Sequence, residues 1–365
     1  MNTFQAGKQL PRVVIVGGGF GGLYAAQGLA RAPVRVTVVD RHNYHLFRPM
    51  LYQVATGLLS ADQVAAPLRS ILRRQDNVEV LMAEVTSVDT AGKLVQTEQG
   101  CIPYDFLILS TGIHYNYFGH DDWKQVAPGL DTVDDADNIR GKILLAFEEA
   151  ESIASRTGAD SDSVHELLTF VIVGGGTAGV EMAGTMAEMT RLALARDFRH
   201  IDPRSARILL YEAGPRILPT YPETLSRKSQ QHLEELGVQV HINAKVEKVD
   251  ADGVIVAGTR IRSRTVVWSA GVVASPAGKW LGAETDRTGR VKVGEDLSVP
   301  GHPDVFVIGD TALVTAYSRD MLGRRSREKV PLPGVAQPAI QEGKYVAKLI
   351  RARVAGTAPP FLVLV

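Results

Sequence analysis

The chain is nearly without cysteine: Cys101 is the only one in 365 residues. One thiol cannot close an internal disulfide, which fits a reducing cytoplasm. It also excludes the CxxxxC pair of disulfide reductases and the several cysteines that relay sulfur in sulfide oxidation. Cys101 itself, beside Gly100, reads as an incidental residue near a turn. Neither sign of charge is in excess, with 40 Lys plus Arg against 40 Asp plus Glu, so no nucleic-acid surface and no strongly basic membrane face is announced. No stretch reaches the roughly 18 continuous apolar residues of a membrane-spanning helix, and residues 1–10 lack the apolar core of a signal peptide. The nine histidines form no HxxxH pair and there is no CxxC, so no metal site is expected.

Against these absences stand two glycine-rich turns, VVIVGGGFGG at 13–22 and FVIVGGGTAGVE at 170–181. In the first, an apolar strand (13–16) leads into Gly17, Gly19 and Gly22 at GxGxxG spacing, and a helix follows over 23–29. The first glycine allows the tight turn, the second lets a pyrophosphate approach the backbone, and the third brings helix and strand together with the helix N-terminus aimed at the phosphates. A second strand (34–39) ends at Asp40, whose carboxylate suits the ribose hydroxyls. The second turn repeats this with Gly174, Gly176 and Gly179, and its acidic residue is Glu212, after the strand 207–211. Glu212 lies farther along than the usual spacing of about 20 residues, and the stretch 182–206 has room for a long helix and a loop to absorb the excess. A carboxylate there repels a ribose 2′-phosphate, so NADH is expected over NADPH. One such turn is weak evidence; two, each with strand, helix and acid in order, predict two dinucleotides.

Further strands are expected at 78–81, 84–88, 93–97 and 106–109, the last running into Ser110, Thr111 and Gly112. A helical stretch over 134–156 reads as the crossing between domains. The second fold continues through strands at 238–242, 246–249, 254–256 and 265–268, ending in Ser269, Ala270 and Gly271. Both folds thus close on a strand and a small-residue turn, which points to internal duplication. The late strand 305–308, ending in Gly309 and Asp310, suggests a return to the first fold.

This arrangement resembles the flavoproteins with two dinucleotide-binding domains. The resemblance implies an α/β fold of two Rossmann-like domains, the NAD domain inserted into a discontinuous FAD domain, with the Gly309–Asp310 turn on the FAD ribityl chain. The boundaries read as 8–134 and 296–350 for the FAD domain, 135–295 for the NADH domain, and 351–365 for the start of a C-terminal membrane-anchoring region. More specifically, the segments 40–57, 167–189, 209–226, 265–276 and 332–350 are similar to type II NADH:quinone oxidoreductases, the single-subunit respiratory dehydrogenases that pump no protons.

That family resemblance implies FAD and NADH as cofactors and a quinone as acceptor. It places the AQxAxQxG segment, with Gln337 and Gln341, on the quinone side of the flavin, where neutral amides can donate to a quinone carbonyl. It assigns Glu181, near the start of the second fold's helix, to electron and proton passage. It also implies a homodimer held on the inner face of the cell membrane by a C-terminal region. Thr177 and Ala178 stand where Pro-Thr is usual, and Arg48 where Gln is usual. The apolar ending Phe361–Val365 is too short for the family's C-terminal region, so truncation is expected and this chain is expected to be soluble. Two other readings stay open on these residues: a soluble NADH:acceptor reductase, and an inactive nucleotide-binding fragment.

Overall fold

The computed structural model describes residues 10–319 and 325–362. The chain divides into two compact units, Met1–His45 with Ala66–His114 and Val273–Val365, and Leu46–Ala65 with Tyr115–Val272.

In the first unit, Arg12–Val16 lies at the centre of a six-stranded sheet between Phe106–Leu109 and Arg35–Asp40, with Val78–Met82, His302–Val307 and Ser298–Val299 outside them. The four pairings among the first five of these strands are parallel, and only the last strand is antiparallel. Val13–Val16 are buried, as expected of a parallel strand covered on both faces. A helix, Phe20–Gly28, follows the central strand, and a 20-residue helix, Ala336–Ala355, packs along it.

The second unit repeats the plan. Thr169–Val173, buried throughout, pairs in parallel with Arg207–Tyr211 and Thr265–Trp268, and Val238–His241 completes a four-stranded sheet. In each unit the sheet runs third strand, second strand, first strand, last strand, counted along the repeat. In each, a three-stranded antiparallel meander stands between the third strand and the last: Val85–Asp89, Leu94–Thr97 and Gly100–Pro103 in one, Val246–Asp250, Gly253–Val256 and Thr259–Arg262 in the other. The fold is thus the duplicated α/β architecture expected, with the second fold inserted in the sequence of the first.

The structure adds local detail to these expectations. Cys101 lies on the exposed meander strand Gly100–Pro103, where its thiol donates to Gln96 Oε1 at 2.9 Å. The helix Val133–Thr157 is no crossing segment. A Thr132–Asp135 capping box starts it, Gly158 at φ +86° ends it, and Ile139, Ile143, Ala146, Phe147 and Ala150 bury its inner stripe in the second unit's core. The compact units divide the sequence after residues 45, 65, 114 and 272. Leu51, Val54 and Trp123 belong to the second unit's core, while Ala277, Leu281 and Val291 belong to the first.

Candidate functional site

The first unit's turn is shaped by steric exclusion. Gly17 has φ +100°, and a Cβ there would stand 2.2 Å from the Ser110 carbonyl oxygen. A Cβ on Gly22 would stand 1.8 Å from the Gly17 oxygen, so both positions exclude any side chain. Gly19 differs: its φ is −68° and nothing lies within 4 Å of its Cβ position. It is the N-cap of the helix Phe20–Gly28, with no side chain capping that N-terminus. The middle glycine thus looks onto open space at a helix N-terminus that no side chain caps, as binding a phosphate requires.

Asp40 ends the neighbouring strand. Its Oδ2 accepts the Gly18 N–H at 2.6 Å and its Oδ1 the His42 N–H at 2.7 Å, so the carboxylate fastens the turn and keeps lone pairs for a ribose hydroxyl. Burial raises its pKa, with those two amides opposing. Gly112, at φ +68°, presents a carbonyl that accepts from the Thr311 hydroxyl at 3.2 Å and the Ser275 N–H at 3.1 Å. Gly309, at φ +67°, opens the short turn Gly309–Thr311, and Asp310 lies against Gly334.

The helix Ala336–Ala355 begins beside that turn. Its Gly343 sits against the Gly21 carbonyl, where a Cβ would come within 2.3 Å, and Ala339 approaches Gly309. Gln337 and Gln341 occupy one face at i, i+4 spacing, the first exposed and the second half-buried. The first unit thus gathers Gly17, Gly19, Gly22, Asp40, Gly112, Gly309 and Asp310 with the glutamine helix.

The second unit repeats these contacts position by position. Gly174, at φ +109°, would place a Cβ 2.7 Å from Ser269 and Ala270 backbone atoms, and Gly179 one 1.9 Å from the Gly174 oxygen. Gly176, at φ −72°, caps the helix Thr177–Glu188 over open space without side-chain assistance. Glu212 Oε2 accepts the Gly175 N–H at 2.7 Å and its Oε1 the Gly214 N–H at 2.7 Å, the same pair of bonds that Asp40 makes. The extra length before Glu212 is taken up by a π turn, Met189–Ala193, and the loop beyond it. Gly271, at φ +65°, closes the last strand's turn against Phe118.

Glu181 is the fifth residue of its helix, just past the first turn. It is half-buried, and burial raises its pKa. Nearby in the same unit, Arg48 pairs with Asp131, whose other oxygen accepts the Tyr115 N–H at 3.2 Å. Burial pushes the Tyr115 hydroxyl up to about 12 while the Arg48 guanidinium pulls it down.

Sequence reasoning missed Glu342. This carboxyl is 2% exposed, and its Oε2 accepts the Gly309 N–H at 2.6 Å. Burial, reinforced by the Asp310 charge, pushes it up to about 7. The signal was present: Glu342 lies on the apolar stripe of its helix with Ala339, Val346 and Leu349.

Two glycine cradles of this kind, each closed by a carboxylate at the end of the second strand, define an oxidoreductase with two dinucleotide-binding folds. A family model described as pyridine nucleotide-disulphide oxidoreductase matches residues 11–343. Solved structures agree on the fold. NDH2 from Plasmodium falciparum in complex with NADH superposes with a TM-score of 0.81 at 19% identity, covering 94% of this chain and 83% of that one. The sulfide:quinone oxidoreductase of Aquifex aeolicus gives 0.72 at 18% identity, covering 95% and 77%. The type II NADH:quinone oxidoreductase Ndh of Mycobacterium tuberculosis is 45% identical over 361 residues, 95% of this chain and 74% of its own length, and NdhA of the same organism is 43% identical. The chain belongs to the type II NADH:quinone oxidoreductase family.

Proposed function

We infer that the chain oxidises NADH and reduces a quinone, with FAD held by the first unit's cradle and NADH by the second. The observation that carries this is the pair of matching cradles, each with an open middle glycine over an uncapped helix N-terminus. The residues present fit both groups, because the positions that would block a pyrophosphate are glycines and the donors that would hold it have no protein partner from a capping side chain. When bound, FAD supplies hydride acceptance from NADH and two-electron delivery to the quinone.

The chain's own residues bind, orient and hold protons. Gly17, Gly19, Gly22 and Asp40 hold the FAD pyrophosphate and ribose, while Gly112, Gly309 and Asp310 hold the rest of the molecule. Gly174, Gly176, Gly179 and Gly271 seat NADH, and the Glu212 carboxylate rejects a 2′-phosphate. Gln337 and Gln341 donate uncharged amide hydrogens to a quinone carbonyl. Glu181, half-buried and with its pKa raised by that burial, is placed to hold and pass on a proton in the quinone step. Among the described residues no helix is long and apolar enough to cross a membrane. We place the protein as a peripheral homodimer on the cytoplasmic membrane face, where a lipid-soluble quinone is reached.

The purified protein is expected to carry non-covalent FAD that anaerobic NADH bleaches and a short-chain quinone restores. A protein that neither contains FAD nor takes it up overturns the reading. Bleaching without recovery on quinone restricts it to an NADH:acceptor reductase.

A further inference from the structure

We propose that Glu342 is a positioning residue for FAD, fixing the Gly309–Asp310 turn to the helix that also braces the pyrophosphate cradle. The proposal rests on the FAD reading given above.

Two consecutive residues of the helix Ala336–Ala355 reach two different parts of the first unit's site. Gly343 lies against the Gly21 carbonyl on the cradle helix, so closely that a Cβ would stand 2.3 Å from that oxygen. Gly28 meets Ala347 one turn farther on, where a Cβ on the glycine would lie 2.7 Å from the alanine's. These backbone-level contacts leave the two helices no room to slide. Glu342, one residue before Gly343, accepts the Gly309 N–H at 2.6 Å across 33 residues of sequence. That amide opens a short turn and holds a left-handed φ of +67°, and it has the helix carboxyl as its acceptor. The residue after it is Asp310, the side chain read as taking the ribityl hydroxyls.

A carboxyl at 2% exposure is a costly way to fill space among Ala339, Val346 and Leu349, and an apolar residue would fill it without desolvating a charge. What the carboxyl supplies is an acceptor at a fixed distance from a rigid helix. The turn's orientation is then set by the same element that sets the cradle helix, so the cofactor's two ends are referred to one frame. Asp310 is the charged group that adds to the strain of keeping Glu342 ionised; the cradle helix Phe20–Gly28 and the strand Phe106–Leu109 carry no Asp, Glu, Lys or Arg.

The test compares the holoenzyme with Glu342→Leu, which fills the space without an acceptor, and Glu342→Gln, which keeps a carbonyl oxygen. FAD release after dilution is followed by the rise in flavin fluorescence. Glu342→Leu is expected to release FAD roughly tenfold faster, as for loss of one charge-assisted hydrogen bond, and Glu342→Gln to stay within about threefold of the unmodified protein. Hydrogen–deuterium exchange of the segment 309–313 should quicken in the Leu variant and not in the Gln variant, with the second unit's strand 169–173 unchanged in both. Release and exchange unchanged in Glu342→Leu, or equally fast in both variants, overturns the proposal. If the Leu variant does not fold, Glu342→Asp withdraws the acceptor by one methylene, and release no faster than from Glu342→Gln overturns it equally. Absence of FAD from the unmodified protein would instead defeat the cofactor reading, leaving the exchange comparison to judge the clamp.

Discussion

At the scale of single residues, the carboxylates give the sharpest predictions. Glu212 accepts two backbone amides while standing where a ribose would lie, so it both shapes the turn and presents charge. Glu212→Gln keeps its size and removes the charge. The ratio of kcat/KM for NADH to that for NADPH is expected to fall roughly tenfold, equivalent to about 1.4 kcal/mol. An unchanged ratio would show that Glu212 serves the turn alone. Glu181 gives a kinetic prediction. Its acid form, favoured by burial, is depleted as pH rises, so the quinone half-reaction should slow with rising pH. Glu181→Gln should be slow at every pH and lose that limb, while its FAD content stays the same; stopped-flow traces of the two half-reactions decide the matter.

Glu342 makes the clearest stability prediction. Its folded pKa, raised from 4.5 to about 7, means that the native state holds a proton the unfolded chain releases. The associated stability is complete below the unfolded value and is lost as pH rises through about 7. In the FAD-free protein, Glu342→Gln should therefore gain on the unmodified chain between pH 5 and pH 8, by at most roughly 3 kcal/mol. Parallel denaturation curves for the two proteins, with a constant gap across that range, would show that Glu342 does not titrate there.

At the scale of elements, the glycine turns and their flanking strands were legible because each position does one steric job. Gly17 and Gly22 admit no Cβ, and Val13–Val16 must be apolar to lie under helices on both faces. The meander strands Gly100–Pro103 and Thr259–Arg262 were missed for the opposite reason. They are short and largely exposed, so no apolar alternation marks them. The contact of the cradle helix with Ala336–Ala355 was likewise hidden, since it depends on small residues about 320 positions apart meeting in space. It makes a sharp prediction: Gly343→Ala drives a methyl into the Gly21 carbonyl and should cost about 1–3 kcal/mol in denaturant unfolding. Lys348→Ala on the exposed face of the same helix should cost far less. Equal effects would mean that the helices part easily.

At the scale of the whole molecule, the duplication was readable from motif order, because strand, turn, helix and acid recur in the same sequence. The unit boundaries were not. Segment 46–65 is separated from the rest of the second unit by residues 66–114, yet its Leu51, Val54 and Val64 belong to that unit's core, a choice made by packing partners that no local pattern announces. The division of labour between the folds is what the function depends on. Gly19 and Gly176 offer a clean way to separate them. Both have ordinary φ values, open space at Cβ and an N-cap position, so aspartate at either should cap the helix without disturbing the protein while setting a negative charge against a phosphate. The decisive measurement is the visible absorption spectrum of Gly19→Asp and Gly176→Asp, before and after anaerobic NADH. Gly19→Asp should fold without FAD absorbance, and Gly176→Asp should show full FAD absorbance that NADH bleaches only at much higher concentration. FAD retained by Gly19→Asp, or normal bleaching of Gly176→Asp, would contradict the assignment of one dinucleotide to each cradle.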